Sequence, residues 1–223
     1  MLPGEPRRPG GRMLKLWGRI NSPNVQKVLW LLEDLALPYE RIDAGLQFGR
    51  VNDPDFRALN PNGKIPVLED GDYVLWETNA ILRYLAMRHG GAAGRALYPE
   101  DPAARASVDR WMDWQLSTLS PAERVMFWGL VRTPPAQQDW AAIHASVAAS
   151  AGCWRILDAR LAAGGPFVEG AGFSLADIVL GTLVHRWFAV EVDGRPNFPA
   201  LRRWYEALHA RPGFLRWVGV TLT

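Results

Sequence analysis

Asn21-Ser22-Pro23-Asn24 stands where a short apolar run gives way to a helical pattern. A hydroxyl at a helix N-terminus lies in the positive end of the helix dipole, where unpaired amides favour an anion. Ser22 at such a place can donate a hydrogen bond to a thiolate and lower its pKa; Ser22 or Asn24 can also simply cap the helix, a commoner use of these residues. A second segment is Asn60-Pro61-Asn62-Gly63-Lys64-Ile65-Pro66-Val67-Leu68. Pro66 interrupts a strand-like run, where proline has no ladder donor and belongs at an edge or a bend. A cis Ile65–Pro66 bond would turn the N–H and C=O of Ile65 toward an extended peptide ligand. The third segment, Trp76-Glu77-Thr78-Asn79, marks another strand-to-helix junction. There a helix N-terminus with the Thr78 hydroxyl can hold a carboxylate and Glu77 an ammonium, which together suit an α-amino-acid head group. Taken alone it is a Thr cap beside an exposed Glu.

Other reactive residue types point elsewhere. Cys153 falls among Trp154, Ile156, Leu157 and Leu161, the setting of a buried structural thiol. The absence of Cys-x-x-Cys argues against dithiol exchange, and the four His are scattered without zinc spacing, so no metal is expected.

Two kinds of element must position the three segments. From Met13 to about His89 strands and helices alternate. Leu14 and Leu16 open a strand; Val25, Val28, Leu29, Leu32 and Leu35 form one helical face; Pro38 to Ile42 is a second strand. An irregular helix is expected near Phe56 and Leu59. Ile65–Leu68 and Tyr73–Trp76 then flank Glu69-Asp70-Gly71-Asp72, a hairpin signal, and Thr78 opens a helix carrying Ile81, Leu82 and Leu85. The order β-α-β-(α)-β-β-α implies that the first two strands are parallel. After a linker the pattern is helical throughout, with helices expected at about 103–120, 137–163, from Leu175, and over 199–210. Ser174 and Asp177 have the spacing of a capping box, in which each side chain bonds the other's amide. The expected domains are 13–90 and 102–223 joined by a linker at 91–101, with residues 1–12 a flexible leader.

The composition, 48% hydrophobic and 22% charged, is that of a folded globular chain long enough for two domains. A net charge of +2 with no basic run excludes the concentrated patch that nucleic acid requires. No apolar stretch is long enough to span a membrane, and the Pro/Gly/Arg-rich residues 1–12 lack the apolar region of a secretory signal. With a single cysteine, this describes a cytoplasmic protein.

In joint order and spacing the motifs resemble the cytosolic glutathione transferase family over nearly all of residues 13–219, in its bacterial, serine-type or theta-like form. Asn60 through Leu68 is similar to the family's N-P-x-G-x-[VI]-P-x-L stretch, Glu77-Thr78 to its Glu-Ser pair, and Ser174-Leu175-Ala176-Asp177 to its capping box. Pro199 through Pro212 resembles its C-terminal helix. The resemblance implies a thioredoxin-like α/β N-terminal domain packed on an all-α C-terminal domain, and a homodimer. It implies glutathione as co-substrate, a small hydrophobic electrophile as second substrate, and a role in detoxification. Ser22 would face the sulfur, with Asn24 replacing or assisting it. Ile65 and Pro66 would hold the cysteinyl part, Glu77 and Thr78 the γ-glutamyl end, and Lys64 with Gln47 and Phe48 the glycyl end. Trp111, Trp114 and Gln115 would border the hydrophobic substrate cleft, or else belong to the core. The chain departs from the family pattern in placing proline directly after Ser22, and in having Trp17 near the position of the family's alternative Tyr. The same scaffold would equally carry a glutathione-dependent reductase, peroxidase or dehalogenase, or a non-catalytic glutathione- or ligand-binding protein.

Overall fold

Residues 13–222 are described by a computed structural model; the leader expected over residues 1–12 lies outside them. The first domain runs β1 (Leu14–Trp17), α1 (Pro23–Asp34), β2 (Tyr39–Ile42), α2 (Pro54–Leu59), β3 (Val67–Asp70), β4 (Tyr73–Trp76) and α3 (Thr78–Arg88). Its four strands form one sheet in the order β2-β1-β3-β4. β1 and β2 are parallel, as a crossover helix between them requires, whereas β3 runs antiparallel to β1 and to β4. The apolar run at Ile65 enters the sheet two residues later than its pattern suggests, because Pro66 has no N–H to give the ladder. The Ile65–Pro66 bond is cis. At its other end β3 continues through Asp70, so the turn closes on Gly71 and Asp72, with Gly71 at φ 65°.

The register brings the strand ends together. Trp17 lies opposite Ile42 on one side and Val67 on the other, and Val67 lies opposite Trp76. The carboxyl ends of β1, β2 and β4 and the start of β3 therefore share one edge of the sheet.

The second domain contains α4 (Gly91–Leu97), α5 (Pro102–Trp114), α6 (Ser120–Phe127), α7 (Trp140–Gly164), α8 (Leu175–Ala189), α9 (Pro199–Leu208) and α10 (Pro212–Trp217). Three expectations need correction. The segment 91–101, expected as linker, forms α4 over most of its length. The helix expected to stop at 120 continues through a single π turn, Gln115–Leu119, into α6 and a second π turn, Trp128–Arg132. The helix expected over 199–210 is not the last: it ends as α9 at Leu208, and Pro212 occupies the first turn of a further helix, α10, where its missing N–H costs nothing.

The domains share a core. α8 is buried around almost its whole circumference, and Trp30 of α1 packs against Phe173 and Phe214, with ring centroids 5.7 and 5.2 Å apart. Gly181 permits this close approach: a Cβ there would lie 3.1 Å from the Trp30 ring and 2.8 Å from Leu208. No helix among the described residues is long and apolar enough to cross a membrane.

The capping box at the start of α8 closes as expected. Asp177 Oδ2 accepts from the Ser174 amide at 2.9 Å and from its hydroxyl at 3.0 Å. Ser174→Ala is expected to lower stability by about 0.5–2 kcal/mol without changing ligand affinity in the folded protein. Urea melts paired with a binding titration would check this, and a selective loss of binding at unchanged stability would contradict it.

Candidate functional site

The shared sheet edge is where the three chemistry-bearing segments meet. β1 is followed by Gly18, whose φ of 149° and close neighbours leave no room for a side chain: a Cβ would fall 2.5 Å from Val25 and 3.4 Å from Ile65. The turn that follows is pinned by Gly18 N–H donating to Ile42 O at 2.8 Å and Arg19 N–H to Ala44 O at 3.2 Å. Ser22 then occupies the N-cap of α1, 5% exposed, with its carbonyl accepting from Gln26 N–H at 2.8 Å. Its hydroxyl makes no capping bond to the helix. The oxygen therefore stands at the positive end of a 12-residue helix without being used by it.

The second segment is braced by a buried side chain. Asn60 Nδ2 donates to Lys64 O at 2.8 Å, and Asn60 Oδ1 accepts from the Asn62 amide at 3.0 Å. This loop presents half-buried Ile65 beside Gly18 and Gly45, while Pro66 is buried and Lys64 exposed. Neither the N–H nor the C=O of Ile65 meets a backbone partner among the described residues. In the third segment the cap residue is Glu77 rather than Thr78, which sits buried at the first helical position of α3. Glu77 is exposed and held at φ 73°, a strained conformation for a residue with a side chain. Gln47 and Phe48 lie exposed on a short 3-10 turn, Leu46–Phe48, that follows from Gly45.

Asn24 is exposed, and its Oδ1 accepts from Lys27 Nζ at 3.3 Å. The polar group of Trp17 is engaged on β3, its Nε1 donating to Glu69 at 2.5 Å. Of the three cleft candidates, Gln115 is tied to the first domain: it is 1% exposed and accepts from Lys27 Nζ at 2.9 Å. Trp111 belongs to the core cluster, and half-buried Trp114 packs against that cluster with its ring 5.4 Å from Trp111. Cys153 is buried, and its thiol is pushed up by burial and by Glu123.

Sequence reasoning missed a group of charges beneath this site. Lys27 is 1% exposed, and burial, with Arg186 adding to it, lowers its ammonium to about 7. Burial likewise raises the Glu123 carboxyl to about 8, although Arg186 and a 3.1 Å bond from Trp154 Nε1 pull the other way. These partners come from α1, α6, α7 and α8, and no local pattern links residues so far apart in the chain. The folded protein holds the Glu123 proton up to about pH 8, whereas the unfolded chain releases it near 4.5. The folded state therefore binds more protons across that window, and wild type loses stability as pH rises through it. Glu123→Gln keeps an acceptor for Trp154 and cannot titrate, so its stability relative to wild type should increase from pH 5 to about pH 7. Lys27 acts with the opposite sign, but only above its own value of about 7. Urea midpoints at stepped pH would measure the difference; a flat or reversed difference would mean Glu123 is already ionised in the fold.

Residues 12–87 match the family described as Glutathione S-transferase, N-terminal domain, and residues 141–207 match Glutathione S-transferase, C-terminal domain. Over 202 residues the chain is 47% identical to glutathione S-transferase GstB of Escherichia coli K12, covering 90% of this chain and 95% of that protein. It is 33% identical over 214 residues to glutathione S-transferase 3 of Zea mays, covering 92% and 93%. Among solved structures, the theta class glutathione S-transferase of Xanthomonas axonopodis pv. citri with glutathione bound matches at a TM-score of 0.88 and 45% identity. That match covers 94% of this chain and 99% of the other.

Proposed function

The chain belongs to the glutathione S-transferase family, and we propose that it joins the sulfur of glutathione to a small hydrophobic electrophile with Ser22 facing that sulfur. The observation that carries this reading is the uncommitted Ser22 hydroxyl at the N-terminus of α1, on the edge where Ile65 and Glu77-Thr78 also converge. Ligands of open α/β sheets favour this place, outside the carboxyl ends of the strands.

Ile65 offers its amide and carbonyl to the cysteinyl residue, with Pro66 shaping the approach. Glu77 pairs with the γ-glutamyl ammonium, and the Thr78 hydroxyl and the first amides of α3 receive its carboxylate. Lys64, with Gln47 and Phe48, meets the glycyl end. The thiol loses its proton to solvent, and the Ser22 hydroxyl and the α1 dipole stabilise the thiolate that remains. The thiolate attacks an electrophile held against α5 near Gln115 and Trp114, with Trp111 behind them; one bond to sulfur forms as the leaving group departs with its electron pair. Asn24 assists at most indirectly, through Lys27.

The test is direct. Glutathione at about a hundred times its Kd should stabilise the protein by about 2.7 kcal/mol and raise Tm by several degrees. A chlorodinitrobenzene electrophile should then yield the glutathione conjugate by mass spectrometry, and disulfide or reduced product in its place would move the activity to a reductase or peroxidase. The absence of both a thermal shift and a conjugate would overturn the reading.

A homodimer is expected in solution. Exposed Tyr73 and Trp76 on β4 and Met87 on α3 give the sheet edge an apolar surface suited to a second copy. Light scattering at micromolar concentration should report twice the chain mass, and a monomer there would contradict it. A reducing cytoplasm, which keeps glutathione as the thiol, is the expected compartment, and detoxification the expected role.

A further inference from the structure

We propose that Lys27 is a positioning residue for the reaction, its side chain tying the first turn of α1, beside the sulfur, to the π turn that ends the α5 wall of the electrophile site. This rests on the reading above and adds to it the residue that sets the gap between the two reactants.

Lys27 opens the second turn of α1 and is 1% exposed. Its Nζ donates to Asn24 Oδ1 at 3.3 Å in the first turn of the same helix, and to Gln115 Oε1 at 2.9 Å in the other domain. Gln115, also 1% exposed, is the first residue of the π turn that follows α5. Its Nε2 donates in turn to Ser120 Oγ, so this side chain spans the π turn to the start of α6. The path from Asn24 to Ser120 therefore crosses between the domains through two buried side chains.

A buried amine is a costly way to fill space, because a Met of similar length would pack there without desolvating a charge. What the amine adds is direction: a hydrogen bond fixes a distance and an angle, whereas apolar packing tolerates sliding. Both acceptors are neutral amide oxygens. The charged groups that face Lys27, Arg186 from α8 and Glu123 from α6, act on it through space. A neutral amine keeps two hydrogens, enough for the same two oxygens, so the tie holds in either protonation state. The brace meets the wall at an irregular turn, the kind of step that recurs at functional sites. It fixes half-buried Trp114, the residue just before the turn, relative to Ser22 at the head of α1. A displacement of about 1 Å between reacting groups can cost about a hundredfold in rate.

Turnover of chlorodinitrobenzene, glutathione affinity and the pKa of the bound thiol, measured on the same variants, test this. Lys27→Met keeps the side-chain length and removes both bonds. It should lower kcat/KM for the electrophile about tenfold, a part of what such a displacement can cost. The glutathione Kd should stay within about twofold and the bound thiol should keep its pKa, because Ser22, Ile65, Glu77 and Thr78 lie outside the network. Gln115→Met should have the same effect, and adding it to Lys27→Met should cost nothing further, as coupled residues require. The loss should be equal on either side of the Lys27 value of about 7. Asn24→Ala, at an exposed position, should lose a few-fold by itself and decides the matter if neither buried variant folds. Losses that add, a loss confined to the lower pH, or glutathione binding lost along with turnover would overturn the inference. A raised thiol pKa in Lys27→Met would also overturn it and assign the ammonium to the sulfur. Wild type that neither binds glutathione nor forms the conjugate overturns the functional reading and this inference with it. Wild type that does both, with variants that match it, overturns this inference alone.

Discussion

Ser22→Ala should slow conjugation at neutral pH by about ten- to a hundredfold, because it removes a charge-assisted hydrogen bond to the thiolate worth about 1.5–3 kcal/mol. The pKa of bound glutathione should rise with it. Glutathione affinity should change less, since Ile65, Glu77 and Thr78 still hold the peptide. The deficit should shrink as pH rises, because the thiol then ionises unaided. The hydroxyl makes no capping bond to α1, so its loss should leave stability nearly unchanged, which separates this effect from ordinary N-cap removal. Asn24→Ala supplies the contrast: its side chain is exposed and reaches Lys27 at 3.3 Å, so a loss of only a few-fold is expected. Stopped-flow titration of the bound thiol together with pH–rate profiles would decide. If Asn24→Ala abolishes turnover while Ser22→Ala stays near wild type at every pH, the assignment of Ser22 is wrong.

Asp177→Ala should destabilise the protein by about 3–5 kcal/mol, the cost of stripping a buried charged acceptor from its donors. The Asp177 side chain is fully buried, and four donors converge on it. Besides the Ser174 amide and hydroxyl, Val168 N–H donates at 3.0 Å and Trp204 Nε1 at 2.9 Å. Burial raises this carboxyl to about 6, against the pull of those four bonds, so it is ionised at neutral pH. The single residue ties the loop before α8, the cap of α8 and the buried face of α9 together. Asp177→Asn should fall between, because one acceptor oxygen survives while the amide nitrogen meets a donor. Urea unfolding followed by tryptophan fluorescence would measure both variants, and a loss below about 1 kcal/mol for Asp177→Ala would show that the network is dispensable.

The larger loss at Asp177 than at Ser174 has a plain origin. Ser174 gives the box one hydroxyl, whereas Asp177 also serves two residues outside the helix start. The spacing of the two residues is visible in the chain, but the bonds to Val168 and Trp204 are not.

That contrast runs through the molecule. Elements and junctions were legible in the sequence where a local rule governs them. The period of Val25, Val28, Leu29 and Leu32 foretells α1, the Asp70-Gly71 step foretells the β3–β4 turn, and Ser174-x-x-Asp177 foretells the start of α8. Proline is legible only in part: Pro66 marks the bend that delays β3, while Pro212 opens α10, a helix the local pattern does not announce. Its fixed φ and missing N–H suit a helix's first turn as well as its stop, and only the packing of α10 on α1 selects between them.

By itself the sequence determined the order of elements in the first domain, the parallel first pair of strands and the three segments able to hold a peptide thiol, because each follows from neighbours in the chain. The tertiary structure alone decided that these segments share one sheet edge, since strand register sets which ends meet. It also decided that Trp111 belongs to the core while Gln115 reaches Lys27, and that Arg19, Lys27, Glu123 and Arg186 gather beneath the site. Charge interactions depend on distance and burial in space, and residues on three separate helices and a turn carry no common local signal of either.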